Sequence, residues 1–287
     1  MKRASLILLA LLVVTPLAHG QPAGNALLWK ISGNGLEKPS YLYGTFHLLC
    51  PEQLQLQEIL KKALSESDRL VLELDFDNPE VMTTVQKGMV FLDGTSARDY
   101  LSEEEYDLVA SFFTTQLQVP FDQISFVKPF FLSAMSLFFY LDCQPESLEM
   151  KLTELAGGYQ IEVQGIETVE EQLGFIEDIP LEDQKKMLLE VVESREEMKA
   201  MTDQMVQTYL KGDLDGLQSI LDEYMSGEYA EMNEGLVTGR NKSWISKIEE
   251  LARESPSFIA VGAGHLPGKE GVIQLLKSSG FTVEIVR

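Results

Sequence analysis

An α/β fold around a central, mostly parallel mixed sheet is what this sequence predicts, and three observations carry the prediction. Near each end of the chain a short apolar run leads into Gly-x-x-His, then a helical pattern, then a second apolar run. The stretch between the two ends is dominated by helical periodicity and capping signals. Strand–helix–strand units need crossover helices, which places their strands parallel in one shared sheet. The expected architecture is that sheet, built from two such units, flanked by helices and carrying a large helical insertion at about residues 100–250.

The chain opens on a secretory pattern. Lys2 and Arg3 precede the apolar stretch Leu6 to Val14, and Ala18 and Gly20 put small side chains where a signal peptidase reads. Residues 1–20 are therefore expected to be a signal peptide and residues 21–287 a single domain, secreted across the inner membrane into the periplasm. The apolar stretch is short for a bilayer span, so no stable membrane span is expected after cleavage.

The first unit starts after Pro39 and Ser40. Tyr41 to Tyr43 reads as a strand, Gly44-Thr45-Phe46-His47 as its turn, and Pro51 with Leu54, Ile59, Leu60 and Leu64 as a helix. A strand from Arg69 to Phe76 closes the unit. The second unit runs from a strand at Phe258 to Val261 through Gly262-Ala263-Gly264-His265. A helix over Lys269 to Lys277, ended by Gly280, and a strand at Phe281 to Val286 complete it.

Between the units, Ser102 and Glu105 form a capping-box start for a helix running toward Gln116. Phe130 to Leu141 is strongly apolar and too short to span a bilayer; it reads as a buried helix, with a membrane- or substrate-facing patch as the second reading. Ser147 and Glu149 begin a short helix that stops before Gly157-Gly158, and Gln160 to Val163 reads as a strand. From Leu181 a long pattern carrying Met187, Met198, Met201 and Met205 reads as a core-facing helical stripe. Trp244, Ile248 and Leu251 mark the helix that feeds the last unit.

Composition excludes some functions. The chain has 45 acidic against 23 basic residues, and loss of the signal peptide would deepen its formal charge from −22 to −24 by removing Lys2 and Arg3. Such a surface repels nucleic acid and anionic membranes. Of three histidines, His19 falls in the expected signal peptide. The other two both end a Gly-x-x-His turn. Cys50 and Cys143 are equally readable as one disulfide or as two buried thiols.

Glycine lets the chain turn sharply as a strand ends, so an imidazole can project over the carboxyl edge of the sheet, where open α/β sheets collect ligands. Two imidazoles and a carboxylate are a workable shell for Zn²⁺, Mn²⁺ or Co²⁺ with a place for water, whose pKa the metal would lower. Glu73 is the expected third ligand beside His47 and His265, against the plainer reading of a solvent-facing acid at a sheet edge. Asp75, on the same face as Glu73, reads as a supporting group behind the ligands, and Glu284 stands in reserve. Glu167, following Gly165-Ile166, reads either as a proton carrier at a strand end or as a helix cap. Arg240, just before the Trp244 helix, reads either as support for an oxyanion or as a structural ion pair. No Gly-x-Ser-x-Gly elbow, P-loop or dinucleotide fingerprint is present.

These residues resemble the TraB/GumN family, which includes the TIKI proteases. The resemblance runs through Leu28-Trp29-Lys30-Ile31, Tyr41 to His47, Leu72 to Asp75, Gly165 to Thr168, Arg240-Asn241 and Val261 to Gly268. It implies a metalloprotease-like site at His47, His265 and Glu73, with Mn²⁺ or Co²⁺ favoured. The leading expectation is thus a secreted metal-dependent hydrolase, a peptidase acting on peptide or protein substrates. The alternative is a non-catalytic envelope binding or assembly factor with a structural metal or none.

Overall fold

The computed structural model describes residues 26–287; the expected signal peptide at 1–20 lies outside them. Among the described residues, β1 (Leu28–Gly33), β2 (Ser40–Thr45), β4 (Arg69–Leu72), β6 (Glu162–Gly165), β7 (Ser257–Gly262) and β8 (Phe281–Ile285) form a six-stranded sheet. The two-residue strands β3 (Leu48–Leu49) and β5 (Glu146–Ser147) pair separately. The order of the large sheet is β6-β4-β7-β2-β1-β8. β6, β4, β7 and β2 run parallel, and β1 is antiparallel to both β2 and β8. The mixed, largely parallel sheet with flanking helices and a large helical insertion is the expected architecture.

The two strand–helix–strand units interleave. β7, from the end of the chain, slots between β2 and β4 of the first unit. The C-terminal ends of β2, β7, β4 and β6 are therefore consecutive along one sheet edge. Gly44 makes the join tight: a Cβ there would stand 2.8 Å from Leu266 Cδ1 and 3.1 Å from the Ala263 Cα, so only glycine lets the two turns touch.

Some boundaries differ from expectation. β4 stops at Leu72 rather than Phe76, because Ile166 and Glu167 turn back over its end, their N–H groups bonding the Leu72 and Glu73 carbonyls. The helix expected from Pro51 divides into a 3-10 turn, Pro51–Gln53, and a helix, Glu58–Ser65, that buries Leu60, Ala63 and Leu64. The glycines at 157 and 158 lie inside Leu148–Tyr159, which ends on Gln160 in the left-handed region (φ 58°). The methionine-bearing stretch breaks at Ser194 into Leu181–Glu193 and Arg195–Leu210.

The capping box at Ser102 and Glu105 starts the helix Glu103–Thr115. Ile31, Leu42, Val71, Ile259, Trp244 and Ile248 belong to the core along the sheet, while Phe112, Phe113, Leu132 and Leu188 make a second core inside the insertion. The apolar stretch after Lys128 becomes Pro129–Leu137 and a 3-10 turn, Phe138–Leu141. No helix among the described residues is long and apolar enough to cross a membrane. Cys50 and Cys143 form a disulfide across 93 residues of sequence, fastening the loop after His47 to the one preceding Glu149.

Candidate functional site

The site lies where the four parallel strands end. His47 follows β2, Glu73 follows β4, Glu167 follows β6 and His265 follows β7, while Arg240 and Asn241 come from the first turn of the helix Gly239–Glu254. They lie inside that helix rather than before it, just after a π-helical stretch, Glu234–Thr238. Glu73, Glu167, Arg240, Asn241 and His265 are all buried. Glu73 is thus no solvent-facing acid: β4 is flanked by β6 and β7, and the edge it emerges from is covered.

Arg240 is clamped between two carboxylates. Its Nη2 donates to Glu73 Oε2 at 2.6 Å and to Glu167 Oε2 at 2.8 Å, and its Nε reaches both Glu167 oxygens at 3.2 Å. Nη1 donates to the Leu236 carbonyl at 3.1 Å. Glu73 Oε1 accepts the Gly262 backbone N–H at 2.8 Å, and Oε2 also accepts Gln172 Nε2 at 3.2 Å. Glu167 Oε1 accepts the Trp244 indole N–H at 2.7 Å. Glu167 does not cap the next helix; Thr168 does, with its side chain accepting from the Glu171 N–H. A buried charge is tolerable only when paired and hydrogen-bonded, and each member of this triad is both.

His265 lies against the Trp244 ring, 4.6 Å between centroids. Its Nδ1 meets Asn241 Oδ1 at 2.7 Å, while Asn241 Nδ2 donates to the Glu270 carbonyl. An amide oxygen only accepts, so Nδ1 carries the proton and Nε2 presents a lone pair to Arg240 Nη1 at 3.4 Å. Burial, with Arg240 adding to it against the pull of Glu73, pushes His265 down to about 4, so it is neutral near pH 7. Burial by itself would raise Glu73, but His265, Arg240, His47 and the Gly262 N–H together hold it well below the ordinary carboxylate range. Because His265 is neutral at that pH, the full charge in direct contact with Glu73 is Arg240.

His47 stands apart. Its side chain is 70 % exposed, and its Nδ1 meets Glu149 Oε1 at 2.9 Å. Burial of the surroundings opposes its charge, yet the hydrogen bond and attraction of Glu149 lift it to about 9. At that exposure solvent tempers the burial contribution, and the Glu149 contact decides the direction. Glu149 is buried on Leu148–Tyr159 and also accepts from Ser147 Oγ at 3.0 Å. The two imidazoles and Glu73 do converge. Where a Cβ on Gly262 would stand, Glu73 Oε1 and His265 Cδ2 are each 3.4 Å away and His47 Nε2 is 3.9 Å away.

Convergence does not make a metal centre, and the expected one at His47, His265 and Glu73 is corrected here. Among the described residues, no three His, Cys, Asp or Glu side chains are placed to hold a metal ion. The physical reason is visible in the bonds: each Glu73 oxygen already accepts a hydrogen bond, His265 turns its lone pair toward a guanidinium, and Arg240 already supplies the positive charge a cation would bring. The expectations of Mn²⁺, Co²⁺ or Zn²⁺, of metal-activated water and of metalloprotease or other metal-dependent hydrolase activity fall with it. Arg240, read as oxyanion support or as an ion pair, forms the ion pair. Asp75 accepts the Asp77 N–H within its own turn, and Glu284 is exposed on edge strand β8.

Sequence reading missed Glu149, Gln172 and the role of the Trp244 indole. Glu149 sits two residues into an ordinary capped helix, 102 residues from His47, and no local pattern marks it. The adjacency of Asn241 to Arg240 was the available signal for the partner of His265.

A model of the TraB/PrgY/gumN family matches residues 27–285, and the chain belongs to that family. The match is to the family as a whole and carries no assignment to a metalloprotease branch. Comparison with curated proteins and with solved structures gives no match.

Proposed function

We propose that this chain is a non-catalytic binding or assembly factor of the cell envelope, acting in the periplasm without a metal. The observation that carries the reading is the closed triad of Glu73, Arg240 and Glu167. It commits the acids and the guanidinium to one another and so serves to hold the ends of β4, β6 and β7 together. Directly beside it lies a cavity of ≈ 530 Å³ whose walls include Leu137, Phe138, Met201, Met205, Leu221 and Val237. A largely apolar cavity of that size with a few polar groups in its lining suits ligand binding. The Cys50–Cys143 bridge agrees with an oxidising compartment.

The test is a mass-spectrometric screen of peptide and ester libraries with the full chain, run with and without chelator, alongside a thermal-shift screen of envelope components. The expected result is no turnover in either condition and a raised melting temperature with a bound component, since a ligand that binds only the folded state stabilises it. Turnover lost in an Arg240 or His265 variant that still folds would overturn the reading.

A further inference from the structure

We propose that β8 is a self-pairing edge: two copies of this chain join β8 to β8 antiparallel about a two-fold axis through Val283, fusing their six-stranded sheets into one. The inference stands apart from what the site at the strand ends does.

The backbone argues for a strand. β8 ends the sheet and has one neighbour, β1. The Val286 N–H donates to the Leu28 carbonyl, which makes Leu28 and Val286 a hydrogen-bonded pair. Such pairs alternate along an antiparallel ladder, so the bonds between β1 and β8 fall on Lys30 with Glu284 and on Ser32 with Thr282. The other side of β1 agrees: its Leu27 carbonyl accepts the Gly44 N–H, so its odd-numbered residues bond β2. Phe281, Val283 and Ile285 therefore turn their N–H and C=O groups outward, where none makes a hydrogen bond among the described residues. A row of unpaired backbone groups is a template for another strand. The devices that blunt an edge are missing, since β8 has no proline, no lysine and an unbroken register. Phe281 and Val283 belong to the core along the sheet, which holds the strand in place.

The side chains select a second copy. An axis through Val283 sets Val283 against the partner's Val283 and Phe281 against the partner's Ile285, so every outward group of the strand is answered. On the exposed face it sets Glu284 against the partner's Thr282, while Lys30 already stands opposite Glu284 within its own sheet. An axis through Glu284 would oppose two like charges directly, which destabilises a pair of strands. An axis through Thr282 would leave Ile285 unpaired, and one between residues would set outward-bonding positions against inward-bonding ones. The two-fold stands perpendicular to the joined sheet, so β2, β4, β6 and β7 of the two copies end at opposite edges and the two sites face apart.

The formal charge of −22 on each copy opposes association at long range. Salt screens such repulsion beyond about 8 Å at physiological ionic strength, so pairing tightens as salt is added.

The experiment is sedimentation equilibrium of the full chain at micromolar concentrations, with amide hydrogen exchange read residue by residue on the same samples. The expected result is a reversible dimer that strengthens with salt. The amides of Phe281, Val283 and Ile285 slow in proportion to the dimer fraction, and those of Thr282 and Glu284, bonded to β1 in either state, change far less. Thr282→Glu places like charges opposite each other at two symmetric positions and is expected to weaken the dimer about two- to thirtyfold. Thr282→Lys, set against Glu284 of the other copy, is expected to tighten it by a similar factor, with the melting temperature of dilute protein unchanged. Should Thr282→Glu fold poorly, Thr282→Lys and the wild-type exchange pattern carry the test. A monomer at every concentration, a dimer indifferent to both substitutions, or outward amides that exchange at a concentration-independent rate overturns the proposal. Outward amides that slow only when another envelope protein is added give the edge to a foreign strand and overturn self-pairing equally.

Discussion

Replacing Arg240 with methionine removes the guanidinium but keeps much of its apolar stem, and it leaves Glu73 and Glu167 buried beside each other without a cation. Those two side chains are 9 % and 2 % exposed in their ion pairs with Arg240, so water cannot take over the pairing. Removing one partner of a buried ion pair costs about 3–5 kcal/mol. For a domain of this size about 1 kcal/mol moves the melting temperature by roughly 2–4 °C, so the expected fall at pH 7.5 is on the order of 6–20 °C. The pH dependence gives the sharper signature. In the wild type the Glu73 pKa is depressed from its ordinary 4.5, so its contribution is full above 4.5 and is lost as pH falls toward the folded value. In Arg240→Met the orphaned Glu73 loses the cation that holds its carboxyl down while burial still pushes it up, so the variant should recover stability relative to wild type as the pH falls toward 5. Adding Glu73→Gln and Glu167→Gln should restore part of the loss at pH 7.5. Urea denaturation at pH 7.5 and 5 measures all of this. A variant as stable as wild type at both pH values would refute the account of the triad.

The other expectations concern the histidines, the disulfide and the turn contact. His265 is held neutral with a folded pKa of about 4 against an ordinary 6.5, so its share of stability is complete above 6.5 and lost as pH falls through 4. That difference amounts to roughly 3 kcal/mol over the full window, and His265→Gln should flatten the wild-type slope there. Nitrogen-15 NMR should show its Nδ1–H tautomer at pH 7, and an Nε2–H tautomer would contradict the Asn241 pairing. His47 runs the other way: its contribution is full below 6.5 and lost as pH rises through about 9, and Glu149→Gln should bring its titration back toward 6.5. Reducing Cys50–Cys143 should cost up to about 4.6 kcal/mol in the chain-entropy account of a 93-residue crosslink, read from urea curves with and without reductant. Gly44→Ala should cost about 1–3 kcal/mol by wedging a methyl between the two turns, and a neutral result would show that the contact with Leu266 gives way.

Most of the fold was legible because its signals are local. Apolar runs ending in glycine gave β2 and β7, and the capping box at Ser102 gave the helix it starts. The interleaving of the two units was not legible, since strand order depends on which edges meet after the chain has folded. β4 was read too long because Glu73 and Asp75 alternate with Leu72 and Leu74 just as a strand would; the turn of Gly165 to Glu167 over its end is a tertiary event. The site was legible in part of its membership, Glu149 and Gln172 excepted, and not in its chemistry. The sequence brings forward His47, Glu73, Glu167, Arg240 and His265, and nothing in it reveals that Arg240 inserts between the acids. An arginine at a helix start and a metal ion answer two buried carboxylates with the same sign of charge, and only distances distinguish them.

The most direct test of the central claim, that the guanidinium of Arg240 fills the place of a cation, is equilibrium dialysis of the full chain against Mn²⁺, Co²⁺ and Zn²⁺ with elemental analysis of the protein. The account predicts no stoichiometric uptake and an unchanged melting temperature in chelator. One equivalent of ion bound by wild type, and lost in both His47→Ala and His265→Ala, would contradict it.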